Sequence, residues 1–118
     1  MARVRHYETM FIVKATLTDE ETQVEIATVR ANIEKNGGTI VSADDMGTKD
    51  LAYEIDKNKR GHYYLAFFTA PSDAILELER NYRNNENIIR FIFIKYDGKK
   101  EIAQWTTMSD ETAKKEQK

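Results

Sequence analysis

At 118 residues, with 41% hydrophobic and 10% aromatic content, the chain has room for one domain around one core and none for a second. Its 18 basic and 20 acidic side chains leave a formal charge of -2, which excludes a polycation that coats nucleic acid indiscriminately but leaves room for a local basic patch. Cysteine is absent, so disulfides, thiolate zinc sites and cysteine nucleophiles are excluded, and His6 and His62 are the only imidazoles.

The opening MARVRHYETMFIV is charged and alternates apolar with polar residues, which does not read as a signal peptide. No segment approaches the roughly 20 apolar residues needed to cross a bilayer. The expectation is a cytoplasmic protein with no membrane partner.

From Val4 to Val13 the alternation places Tyr7, Thr9, Phe11 and Val13 on one side and His6, Glu8, Met10 and Ile12 on the other, the pattern of a strand. Thr18-Asp19-Glu20-Glu21 is a capping box that starts a helix. Ile26, Val29 and Ile33 recur at helical spacing along it, and Asn36-Gly37-Gly38 ends it. A long strand region follows from Thr39 to Ile55, with Gly47 the expected bulge. The segment Asp56 to Gly61 reads as a charged connector, and His62 to Ala70 as the most apolar strand. Pro71-Ser72-Asp73 opens a second helix carrying Ile75, Leu78 and Tyr82, Asn84 to Asn87 break it, and Ile88 to Tyr96 is a final strand.

Strand, helix, strand, strand, helix, strand closes most economically as an α+β, ferredoxin-like βαββαβ sandwich: a four-stranded antiparallel sheet with two helices on one face. The first and third strands are then central. The domain spans residues 1–96, and residues 97–118 read as a polar tail with disorder toward its end. Met10, Ile12, Tyr63, Leu65, Phe67, Ile92, Ile94 and Tyr96 cannot all face the helices, so the open face is partly apolar. It seats either a partner or the folded-back C-terminal segment with its lone Trp105.

No catalytic constellation emerges. Ser42, Ser72 and Ser109 lack histidines at suggestive spacing, Gly37-Gly38 ends a helix instead of cradling a phosphate, and no carboxylates stand at metal-ligand spacing. Catalytic residues, cofactors, metals and a small-molecule substrate are all expected to be absent. Arg60 to Phe67 partly matches the octapeptide of RNA-recognition motifs, but Tyr63 stands where a small residue is usual, and core packing is the favoured reading of these aromatics. The stronger nucleic-acid signal is a set of cations at strand and helix ends: Arg3, Arg5, Arg83, Arg90 and Lys95. If they converge on one side, they suit phosphate oxygens.

Several blocks together resemble one family. Arg5-His6-Tyr7-Glu8 opens the first strand, Leu51-Ala52-Tyr53 precedes Ile55 four residues after Gly47, and Tyr82-Arg83-Asn84 leads to Ile88-Ile89-Arg90. In this order and spacing, from about Arg3 to Lys95, the chain resembles the bacterial small-subunit ribosomal protein six family. It departs from the family at Glu54, where proline is usual, and at Met46, Thr48 and Asp50. The resemblance implies a ferredoxin-like fold and a structural, non-catalytic role on the ribosome. It also implies binding to the central domain of small-subunit ribosomal RNA together with small-subunit ribosomal protein eighteen, as a heterodimer. Carried over by position, the RNA-facing group is Arg3, Arg5, Tyr7, Arg83, Arg90 and Lys95. The alternative from another class is a dimeric ferredoxin-like ligand-sensing domain that pairs open faces around a small molecule. An acylphosphatase-like enzyme comes third, since Lys14-Ala15-Thr16-Leu17 offers neither the arginine nor the glycines of such a loop.

Overall fold

In the computed structural model, residues 4–55 and 57–116 are described. The elements run β1 (Val4–Lys14), α1 (Asp19–Lys35), β2 (Thr39–Ile55), β3 (Asn58–Pro71), α2 (Ala74–Arg83), β4 (Ile88–Tyr96) and α3 (Gly98–Glu116). The four strands form one antiparallel sheet in the order β2-β3-β1-β4, so the first and third strands are central, as the aromatic content implies. The fold is the expected ferredoxin-like sandwich with one helix added.

Local chemistry accounts for the element ends. The Glu21 backbone N–H donates to Thr18 Oγ1 at 3.1 Å and the Thr18 N–H donates to Glu21 Oε1 at 2.9 Å, closing the capping box that starts α1. In β2, Gly47 takes φ +79° beside a shift of register, and its N–H donates to Asp45 Oδ1 at 3.2 Å. This is the expected bulge, in a conformation that an L side chain rarely adopts.

Period two divides the sheet. Tyr7, Thr9, Phe11 and Val13 of β1 stand beside Phe68, Ala66 and Tyr64 of β3 and Phe91 and Phe93 of β4, all on the side covered by α1 and α2. Ile26, Val29 and Ile33 of α1 and Leu78 and Tyr82 of α2 close this core. At its centre Thr9 donates to the carbonyl of Ile92 at 3.1 Å, which leaves its oxygen to accept the Tyr82 hydroxyl at 2.9 Å. The buried polar groups are thus satisfied, and each large side chain here contributes roughly 1.5–3 kcal/mol by its burial.

The opposite face is taken in part by the folded-back C-terminal segment with Trp105, one of the two readings the sequence leaves open, but that segment is helical. Where the sequence reads as a polar tail, α3 is a helix of 19 residues lying back across the sheet. Gly98, at φ +78°, turns the chain, and Trp105, Ser109 and Thr112, all buried, line up at three-to-four spacing. Trp105 Nε1 donates to the Tyr7 carbonyl at 2.8 Å, and its ring meets His6 edge-on at 4.7 Å and Phe67 at 6.2 Å. A buried Ser42–Ser109 hydroxyl pair at 2.9 Å continues the seam toward β2. Ile102, Met108 and Ala113 are half-buried beside this seam. The disorder expected at the chain's end falls on Gln117 and Lys118, outside the described residues.

The β2–β3 hairpin also extends further than the sequence implies. Strand pairing continues through Asp50 opposite Arg60 to Ile55 opposite Asn58, so most of the expected connector is strand. A Cβ on Gly61 would stand 2.3 Å from Ile12 Cγ2 on neighbouring β1, so glycine here leaves the space that the Ile12 side chain occupies. Among the described residues, no helix is long and apolar enough to cross a membrane.

Candidate nucleic-acid interface

The expected cations divide between the two sides of the sheet. Tyr7 and Lys95 are cross-strand partners, and with Ser72, Ile75, Leu76, Glu79 and Phe93 they line a groove between α2 and β4. Arg5 stands one pleat before Tyr7, and its Nη1 donates to Asp97 Oδ1 at 3.0 Å just beyond the end of β4. Arg83 reaches back one turn of α2 to Glu79 at 3.1 Å, at the rim of the same groove. Arg5, Lys95 and Arg83 therefore share the helix side of the β1–β4 edge. Arg3 lies outside the described residues.

Tyr7 supports this edge from within. Its ring is buried and stacks on Phe68 at 5.5 Å, leaving no free face for a base. Burial raises the pKa of its phenol, Arg5 partly opposes that rise, and Asp97 adds to it, so the hydroxyl stays neutral at physiological pH. Its contribution is to hold the strand that carries Arg5.

Arg90 is not part of this group. It stands opposite Ile12, five residues from Lys95, and an odd separation along a strand sends the two side chains to opposite faces. There Arg90 Nη1 donates to the Tyr53 hydroxyl at 2.6 Å, and its guanidinium lies 5.4 Å from the centre of that ring. The convergence of Arg90 with the other cations, which the sequence left possible, is corrected accordingly. Arg90 clasps the β2–β3 hairpin over the open face, a contact invisible to local pattern because 37 residues separate the pair.

The octapeptide comparison resolves toward packing. Its two usual stacking positions fall on His62 and Tyr64, which share the register side of Val13 and Phe11 and so face the helices. His62 Nε2 lies 2.6 Å from Asp45 Oδ1, and the Tyr64 hydroxyl accepts from Arg30 at 2.8 Å. Phe67, on the open face, is covered by Trp105.

Beyond α3 the open face holds a shallow apolar cleft formed by Met10, Ile12, Tyr63 and Ile92, with Arg90 on its margin. Ile92 and Ile94 are 43% and 39% exposed. Lys49, on β2, lies 5.9 Å from the centre of the Tyr63 ring. At the α3 end, Tyr96 donates to Glu8 Oε1 at 2.6 Å. Among the described residues, no group of three or more His, Asp or Glu side chains is placed to hold a metal ion. What this arrangement can do is present cations to phosphates from one edge and an apolar surface to a protein from the opposite face.

The chain is similar to known proteins in both sequence and fold. The family model described as ribosomal protein S6 matches residues 6–95. The small ribosomal subunit protein bS6 of Nitratiruptor sp. is 53% identical over 111 residues, covering 94% of this chain and 87% of that protein. Its counterpart in Helicobacter pylori strain G27 is 52% identical over 112 residues, covering 95% and 79%. The crystal structure of 30S ribosomal protein S6 from Thermotoga maritima superposes with a TM-score of 0.79 at 28% identity, covering 92% of this chain and 99% of that one. The chain belongs to the ribosomal protein S6 family, proteins of the small ribosomal subunit.

Proposed function

We propose that this chain is a structural constituent of the small subunit, at work in the cytoplasm, that binds the central domain of small-subunit ribosomal RNA cooperatively with small-subunit ribosomal protein eighteen, as a heterodimer. The observation that carries the reading is the part of the open face that α3 leaves free, where Met10, Tyr63 and Ile92, with buried Ile12 between them, line an apolar cleft beside exposed Ile94. Such a surface suits a protein partner. A chain of net charge -2 gains little from phosphates alone, so a basic partner seated on that cleft supplies most of the attraction. Arg5, Arg83 and Lys95, with Arg3 just upstream and Tyr7 behind them, then make the chain's own phosphate contacts. Arg90 holds the hairpin at the rim of the partner's seat.

The test is salt-dependent binding of the purified chain to a central-domain ribosomal RNA fragment, with and without the partner protein. Tight, salt-sensitive binding only in the partner's presence is the expected result. A stable homodimer that binds no RNA in either case would overturn it and favour the dimeric ligand-sensing domain.

A further inference from the structure

Helix α3 carries two exposed pairs of lysines, Lys99-Lys100 in its first turn and Lys114-Lys115 in its last. The later pair sits where the helix dipole favours cations, and Lys115 reaches Asp44 at 3.8 Å. The earlier pair sits where the dipole disfavours them, and among the described residues neither ammonium is ion-paired. A local preference broken without a structural return points to function.

Their position supplies that function. Asp97, between Lys95 and Lys99, is held by Arg5, while its N–H donates to Glu101 Oε1 at 2.9 Å and its Oδ1 also accepts the Gly98 N–H at 3.1 Å. These contacts fix the start of α3 against the entry to β1. Four cations, Arg5, Lys95, Lys99 and Lys100, thereby lie at one end of the sheet, and the carboxylates near them are each engaged: Asp97 by Arg5, Glu101 by the Asp97 N–H, Glu8 by the Tyr96 hydroxyl and Glu79 by Arg83.

We infer that the start of α3 is a second phosphate-contacting element, with Lys99 and Lys100 extending the cationic surface of Arg5 and Lys95 around the sheet end onto the backbone of the same RNA. This rests on the RNA-binding reading proposed above. The contacts are to phosphates, so they add affinity and orientation without selecting a base sequence.

The experiment compares wild-type protein, Lys99→Gln/Lys100→Gln, Lys99→Arg/Lys100→Arg and Lys114→Gln/Lys115→Gln. Each is bound to the central-domain RNA fragment with the partner protein over a series of salt concentrations. Each lost phosphate contact lowers the slope of log affinity against log salt by about 0.7–0.9, so Lys99→Gln/Lys100→Gln should lose about 1.4–1.8. The arginine variant should keep the wild-type slope, and so should Lys114→Gln/Lys115→Gln. Thermal melting of Lys99→Gln/Lys100→Gln should match or exceed wild type, because an unfavourable charge has left the helix start. Weaker binding by an undiminished fold separates a contact from a structural role. A wild-type slope in Lys99→Gln/Lys100→Gln, or an equal loss in Lys114→Gln/Lys115→Gln, would overturn this inference while leaving the RNA-binding reading intact. Absence of salt-sensitive binding by the wild type would overturn both.

Discussion

The two faces of the sheet are closed by different means. Toward α1 and α2, Phe11 and Phe68 are fully buried, aromatic rings meet on several sides of Tyr82, and the polar groups inside bond to one another. Toward α3, one indole, a line of hydroxyls and the half-buried Ile102, Met108 and Ala113 hold the helix, and beyond it, among the described residues, the face is crossed only by the end of the β2–β3 hairpin. The first closure belongs to the whole fold and is lost only with it. The second can open by itself, because freeing α3 costs the burial of one tryptophan, the partial burial of Ile102, Met108 and Ala113 and a few hydrogen bonds while the core beneath stays packed. Stability and the proposed partner binding thus fall on opposite sides of the same strands.

The comparison breaks most visibly at Phe11. Its ring packs against Tyr64 at 5.4 Å and Tyr82 at 5.5 Å, and Phe11→Ala should destabilise the domain by about 3–5 kcal/mol. Urea unfolding should show the loss as a lower midpoint in every spectroscopic signal at once. Trp105→Ala should cost less, roughly 2–3 kcal/mol, because the loss cannot exceed the free energy of undocking α3. Hydrogen exchange is the sharper measurement: amides of α3 should lose protection while those of β1 and β3 keep theirs. Loss of protection in both would show that the two closures form one cooperative unit.

These contrasts were unequally legible in the sequence. The capping box at Thr18 and Glu21, the bulge at Gly47 and the period-two face of Tyr7, Thr9, Phe11 and Val13 are local signals, and the structure has them where the sequence places them. Helix α3 was obscured because its fully buried seam is one large apolar residue and two small hydroxyl residues, with Ile102, Met108 and Ala113 only half-buried beside them, so a count of hydrophobics reads it as tail. The clasp between Arg90 and Tyr53 depends on a hairpin crossing over Ile12, which no local pattern encodes. The separation of Arg90 from Lys95 was in principle readable, since five residues along a strand reverse the side. Their shared charge concealed the difference in facing.

Hydroxyl pairs sharpen the comparison at smaller cost. Tyr82→Phe removes the hydrogen bond to Thr9 within the core and should cost about 1–1.5 kcal/mol in urea midpoints. On the other face, Ser42→Ala leaves Ser109 buried without that partner and should cost a comparable amount, whereas Ser42→Ala/Ser109→Ala should be nearly neutral. A double variant as damaged as the sum of its singles would mean that the seam depends on the hydroxyls' shape and not on their pairing.

The smallest expected effect appears only in alkali, at the margin where the open face meets α3. The Tyr96 phenol is pushed up to about 12, first by burial and then by its hydrogen bond to Glu8, with the charges of Glu8 and Glu101 adding to the rise. In the unfolded chain it titrates near 10. Between these values the unfolded chain releases a proton that the folded chain keeps, so the stabilising contribution is complete below pH 10 and declines as pH rises toward 12. Tyr7 and Tyr82 are raised by burial as well, so the wild type should lose stability through this window by more than one phenol's share. Tyr96→Phe should be modestly less stable than wild type at neutral pH, and denaturant midpoints measured from pH 9 upward should show the difference closing. A constant difference across the window would mean that the folded chain gives up the Tyr96 proton as readily as the unfolded one, and that the contact with Glu8 does not hold this corner closed.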